Sequence, residues 1–235
     1  MDPLETLAAP TASRPMLGMT VLVVEDSLYA SEALRLLCLR SGARIRRADC
    51  LRSARRHLQV YRPSALIVDL GLPDGSGAEL IQDLSRATPK VSVIAAVSGD
   101  PGAEDLAMAA GADCFMSKPL TSIAKFQTTI LAHMPPEYRL TGPRPIRDDQ
   151  VEPDPIAYLD DVAHAAEILP DAGQEEVLSY LVQFVRGIAH CADDAALLAA
   201  IGRLERARKG DLSLRSELAA LGGVLQERVG SRLAI

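Results

Sequence analysis

An α/β fold, a five-stranded parallel sheet covered by helices and joined to a second, smaller all-α domain, is what this 235-residue sequence predicts. Three observations carry the expectation. From Thr20 to Met134 short apolar runs alternate with amphipathic segments; residues 135–155 then contain six prolines; beyond them the apolar spacing turns helical. Apolar residues make up 48% of the chain, enough to build two cores, so disorder throughout is excluded.

Residues 1–18, MDPLETLAAPTASRPMLG, carry three prolines and no sustained period, and are expected to form a disordered N-terminal extension. TVLVVED (20–26) reads as a buried strand, Leu28 to Ser41 as a helix stopped at Gly42, and ARIRRA (43–48) as a charged strand. A helix from Leu51 ends before Pro63, with Leu51, Ala54 and Leu58 inward and Arg52, Arg55 and Arg56 outward as a solvated face. SALIVD (64–69) is a second buried strand, Gly77 to Ala87 a helix, and VSVIAAVS (91–98) a third buried strand. A helix over 101–110, a strand over 113–117 and a helix over 120–134 complete the first domain, 19–134.

Uninterrupted apolar runs need burial on both faces, so the first, third and fourth strands are central. The arginine-bearing second strand then lies at an edge, where its charge discourages unwanted pairing. The order 2-1-3-4-5, flavodoxin-like, satisfies both conditions and puts ligands at the carboxyl ends of the strands near the order reversal. Residues 135–155 read as a Pro-rich, semi-extended linker. In 156–235, helices are expected near 155–169, 174–190, 193–209 and 213–233. Their stripes (Leu178, Leu181, Val185, Ile188; Leu197, Ile201, Leu204; Leu214, Leu218, Leu221, Leu225) each need a partner helix, in a small bundle or a dimeric helical assembly.

The chemistry gathers at strand ends. Glu25 and Asp26 close the first strand and Asp69 the third, so a parallel sheet brings three carboxylates to one rim. Such a group repels itself unless a proton or a divalent cation intervenes, and oxygen ligands favour Mg²⁺. A single strand-end aspartate is as readily a helix or turn cap. Ser98 and Lys118, at the ends of the fourth and fifth strands, add a hydroxyl donor and a compact cation. A carboxylate with these neighbours is equipped to accept a phosphoryl group, because that catalysis is mostly positioning and charge neutralisation. Asp74, between Pro73 and Gly75, reads as a turn residue. The four cysteines are far apart and read as small core residues.

The stretches VLVVEDS, LIVDLGLPDGSG, IAAVSG and AGADCFMSKP resemble the receiver domain of two-component response regulators over about residues 19–134. The resemblance implies Asp69 as the phosphoacceptor, charged by a histidine kinase or phosphotransfer protein. It implies Mg²⁺ as cofactor, held by the Asp26 and Asp69 side chains and the Gly71 backbone carbonyl, with Glu25 acting through metal-bound water. Ser98 and Lys118 would contact the phosphoryl oxygens, with Gly99 leaving them room. Ser98 and Phe115 would form the switch, and the peptide bond before Pro119 would be cis. The resemblance implies no enzyme activity beyond self-phosphorylation and dephosphorylation.

The net charge of −6 is uneven: residues 19–134 hold 13 Lys/Arg against 12 Asp/Glu, and 151–235 hold 8 against 14. An acidic second domain with few aromatics is a poor reader of nucleic acid. Arg203, Arg206, Arg208 and Lys209 crowd one helix end, where they complement the helix dipole. His164 and His190 lie in helices without the flanking pattern of phosphotransfer modules, and Asp193 and Asp194 crowd His190 with charge that repels phosphate. The expected function is a phosphorylation switch that alters the face of the fourth helix, fifth strand and fifth helix, and through the linker controls a helical module that binds a protein partner or dimerises. The alternatives are a DNA-binding transcriptional regulator with an atypical helical reader and a phosphate-sink or phosphorelay protein. No apolar run reaches the roughly 18 residues of a membrane span, so a cytoplasmic location without membrane contact is expected.

Overall fold

The computed structural model describes residues 9–138, 149–210 and 213–231. Residues 1–8 of the expected extension and 139–148 of the expected linker lie outside the described residues. The chain runs β1 (Thr20–Val24), α1 (Leu28–Ser41), β2 (Arg44–Ala48), α2 (Leu51–Val60), β3 (Ala65–Asp69), β4 (Gly71–Leu72), β5 (Gly75–Ser76), α3 (Gly77–Ser85), β6 (Val93–Ser98), α4 (Glu104–Ala110), β7 (Cys114–Ser117) and α5 (Ile123–His133). The C-terminal helices are α6 (Pro155–Ile168), α7 (Glu175–Cys191), α8 (Ala195–Arg208) and α9 (Leu214–Ser231).

The main sheet is parallel, in the order β2-β1-β3-β6-β7. Its five strands, counted alone, follow 2-1-3-4-5; the chain numbering differs because β4 and β5 form a separate antiparallel hairpin. The expected α/β class is therefore found, with the hairpin as an unforeseen addition inside LGLPDGSG. All five residues of β3 are buried, whereas β2 exposes Arg44, Arg46 and Arg47 at the edge. Alternation within each central strand feeds two cores, since successive side chains leave opposite faces. Val21, Val23 and Ile67 pack with Leu34, Leu37, Phe126 and Ile130 of α1 and α5. Leu22, Val24 and Leu66 pack with Leu51, Leu80, Ile81 and Ala107 of α2, α3 and α4.

Local signals set the element ends. The Ser27 hydroxyl accepts from the Ala30 N–H to start α1, and Gly42, at φ 89°, ends it in the left-handed region. The α5 helix starts at Ile123 rather than at Leu120, because Ser122 is the residue whose hydroxyl caps it, accepting from the Lys125 N–H at 3.1 Å. A 3₁₀ turn over Pro101–Ala103 precedes α4 where a continuous helix was expected.

The extension is not free throughout. Met16 is fully buried in the α1–α5 core, and its N–H donates to the Ser41 carbonyl at 2.9 Å. The linker's far end is likewise tied down: Val151 is 1% exposed, its N–H donates to the Thr121 carbonyl at 2.8 Å, and the Ile123 N–H donates to the Asp149 carbonyl at 3.0 Å. These bonds lay residues 149–151 along the start of α5.

The C-terminal helices close into a four-helix ring in which α6 packs on α7 and α9, and α8 packs on α7 and α9. The expected stripes meet inside this one chain: Leu178, Leu181, Val185, Ile188, Leu197, Ile201, Leu204, Leu221 and Leu225 are buried together, with Leu214 and Leu218 at the margin. A second copy is not needed to cover them. The basic residues expected at the α8 end are partly paired, Arg203 with Glu217 at 3.1 Å and Arg208 with Glu175.

Candidate active site at the sheet rim

β1 and β3 are hydrogen-bonded neighbours in parallel register, Val24 opposite Val68, so the residues that follow them emerge side by side. Oxygen atoms of Glu25, Asp26 and Asp69 accordingly lie within 4.8 Å of one another. Glu25 is 4% and Asp69 8% exposed. Lys118, carried by the end of β7, reaches into the group: its Nζ lies 2.8 and 2.9 Å from the two Glu25 carboxylate oxygens and 3.0 Å from Asp69 Oδ2. The Lys118–Pro119 bond is cis, as the resemblance implies.

Three carboxylates around one ammonium leave excess negative charge in a dry place. Burial, reinforced by Asp69, pushes Glu25 well above the usual carboxylate range and Asp26 up to about 7. Burial alone would depress Lys118, but Asp69 and Glu25 outweigh it and hold the ammonium charged. Asp26 Oδ1 is a buried oxygen with no hydrogen-bond partner among the described residues. A hard divalent cation fits this donor set, because it supplies the missing positive charge and takes oxygen ligands.

Ser98 ends β6 beside the group, its hydroxyl accepting from the Asp100 N–H at 3.1 Å. Gly71 opens the β4–β5 hairpin two residues after Asp69. Phe115 is half-buried against the α2–α4 core. Asp69, Gly71, Ser98, Gly99 and Lys118 line one side of a cavity of about 830 Å³.

Residues 21–130 match the family profile of the response regulator receiver domain. This part of the chain is a receiver domain. Among curated relatives, the KDP operon transcriptional regulatory protein KdpE of Escherichia coli K12 is 27% identical over 164 residues, 70% of this chain and 68% of that protein. The virulence transcriptional regulatory protein PhoP of Salmonella typhimurium is 31% identical over 102 residues, 43% of this chain and less than half, 46%, of that protein. Among solved structures, a CheY-like receiver domain from Methylobacillus flagellatus is 26% identical, with a TM-score of 0.45 over 49% of this chain and 98% of that one. One from Chloroflexus aurantiacus, described as a response regulator, is 28% identical, with a TM-score of 0.42 over 43% and 86%.

The other wall of the receiver's cavity was not foreseen. It is α7, through Ser179, Tyr180, Gln183, Arg186 and Gly187. The Tyr180 hydroxyl donates to Asp26 Oδ2 at 2.7 Å. Gly99 lets the helix come this close: a Cβ there would sit 3.1 Å from the Gly187 Cα, whereas one on Gly187 would meet Lys118 Nζ at an ordinary 3.6 Å. A Cβ on Gly71 would meet Gln183 Oε1 at 2.7 Å. Gly99 thus leaves room for α7 as it stands. His190 also reaches this edge, its Cδ2 3.5 Å from that same Gly99 position, whereas His164 stacks edge-on against Phe184.

A second contact comes from α6. Asp161, 2% exposed, accepts from the Ser27 hydroxyl at 2.7 Å, the Leu28 N–H at 2.8 Å and the Tyr29 N–H at 3.0 Å. It caps the α1 N-terminus of the receiver from another part of the chain, where a carboxylate also complements the helix dipole. The C-terminal helices therefore meet the receiver at α1, β4 and the rim, contacts additional to the expected connection through the linker. Sequence held one sign of this. Tyr180, Gln183 and Gly187 recur at helical spacing beside the apolar stripe, which marks a second face on α7 without saying what it meets.

Proposed function

We propose that the chain is a phosphoacceptor response regulator in which Asp69 takes a phosphoryl group from a phosphohistidine of a cognate histidine kinase or phosphotransfer protein. The observation that carries this is the Lys118 ammonium 3.0 Å from Asp69 Oδ2 among three clustered carboxylates. An Asp69 carboxylate oxygen attacks phosphorus, the P–N bond breaks, and the imidazole leaves with its electron pair, giving an acyl phosphate. Lys118 and the Ser98 hydroxyl are positioned to neutralise and hold the transferring oxygens. Asp26, Asp69 and the Gly71 carbonyl would hold Mg²⁺, with Glu25 acting through water. When bound, Mg²⁺ would offset the charge on the phosphoryl oxygens.

In this reading residues 19–134 receive the signal, 135–155 connect, and 156–235 are the output, with Ser98 and Phe115 as the switch. The output is a protein partner or a second copy rather than DNA. KdpE and PhoP are by name transcriptional regulators, but here Arg186, Arg203, Arg208 and Arg228 are engaged by carboxylates, which leaves them poorly disposed to bind phosphate. No helix among the described residues is long and apolar enough to cross a membrane.

The test is Asp69→Asn, which keeps the shape and removes the nucleophile. Incubated with acetyl phosphate and Mg²⁺, the wild-type chain is expected to take up label and the variant to take up none. Equal labelling would assign the chemistry to another residue.

A further inference from the structure

The same Asp26 carboxylate that is assigned to the metal already has a partner in the Tyr180 hydroxyl, on Oδ2. Tyr180 belongs to a helix whose backbone closes over Gly99 and stands near the Lys118 ammonium. Mg²⁺ requires near-octahedral coordination and keeps several waters, so it needs open volume above its carboxylates as well as their charge. Tyr180 takes both. Its ring stands half-buried at the rim, and its O–H draws on the carboxylate that the cation would use.

We propose that Tyr180 docks the C-terminal helices on the receiver rim in opposition to the metal, so that a divalent cation and α7 compete for Asp26 and cation binding releases the helical module. The inference rests on the metal site proposed above. It differs from a switch that waits for phosphate, since the cation alone shifts the equilibrium. Linkage makes the effect reciprocal: whatever factor undocking adds to cation affinity, the cation adds to undocking. Asp161 marks the same event at a distance. Its bonds to the Leu28 and Tyr29 N–H groups exist only while α6 and α7 are seated, and these two amides lie at the start of α1, outside the metal's own ligands.

The experiment is a calorimetric Mg²⁺ titration of the full chain and of Tyr180→Phe, with amide exchange followed at Leu28 and Tyr29. A hydrogen bond to a charged group is strong enough that Y180F is expected to bind Mg²⁺ about tenfold more tightly. Saturating Mg²⁺ is expected to speed exchange of both amides in the wild type. Asp161→Asn, which loosens the seat at residues 27–29 rather than at the proposed metal ligands, is expected to raise Mg²⁺ affinity in the same direction. Equal affinity in wild type and Y180F, or amides indifferent to Mg²⁺, would overturn the proposal. Absence of saturable Mg²⁺ binding in every variant would overturn the metal site itself, a distinct result that removes the proposal with it.

Discussion

Asp69 and Asp74 stand five residues apart in one loop, and their surroundings give them different work. Asp69 ends a buried strand against the Lys118 ammonium. Asp74, in the turn of the β4–β5 hairpin, points to the other side, where its carboxylate accepts from the Leu51 N–H at 2.7 Å and the Arg52 N–H at 2.9 Å. Cys50, the N-cap residue of α2, makes no side-chain cap of its own, so Asp74 supplies it from a distance. Asp74→Ala is expected to lower stability by about 1–2 kcal/mol in urea denaturation, the usual cost of a lost N-cap, while leaving phosphorylation at wild-type level. A sequence reading reached the turn but not the cap, because the α2 start lies 23 positions upstream and only the fold brings it near. The gathering of these residues at one rim was legible for the opposite reason. Glu25, Asp26, Asp69, Ser98 and Lys118 all sit at or just past the ends of apolar strands, and a parallel sheet sends every such end to one rim.

At the scale of elements, α7 has two faces with two tasks. Leu178, Leu181, Val185 and Ile188 fill the bundle, and Tyr180, Gln183 and Gly187 meet the receiver. The apolar face was legible because its period is strong; the polar face was not, since nothing in a single sequence says which element a polar face meets. Asp194 holds the bundle's far side in a comparable way. Its carboxylate caps α8 through the Ala196 and Leu197 N–H groups, accepts from the Tyr158 hydroxyl of α6 at 2.6 Å, and pairs with Arg228 of α9 at 2.8 Å. Burial would raise this carboxyl, but the bonds from Arg228 and Tyr158 outweigh it and hold it well below the usual carboxylate range. A depressed folded-state value means that the stabilisation is complete above the unfolded pKa of about 3.9 and is lost as pH falls below it. Thermal unfolding measured from about pH 5 down to about pH 3 is expected to show a steeper loss of stability in the wild type than in Asp194→Asn, which should already be less stable at pH 5.

For the molecule as a whole, the receiver and the C-terminal helices are joined at the place where the chemistry occurs. Asp69 is 8% exposed, with α7 forming the outer wall of its cavity, so a histidine carried on another protein has no straight approach to it in this arrangement. The α/β class, the strand order and the all-α C-terminal part were legible from apolar run lengths and periods. The seating of one part on the other was not, because it depends on Asp161 and Tyr180, single polar residues whose partners lie more than 130 positions away. The central claim is that Asp69, and no other rim carboxylate, carries the phosphoryl group. The most direct measurement treats the chain with acetyl phosphate and Mg²⁺, reduces the acyl phosphate with borohydride and locates the modified residue by peptide mass spectrometry. The account predicts reduction at residue 69 alone; modification at Asp26 or Asp74 instead, or none anywhere, would contradict it.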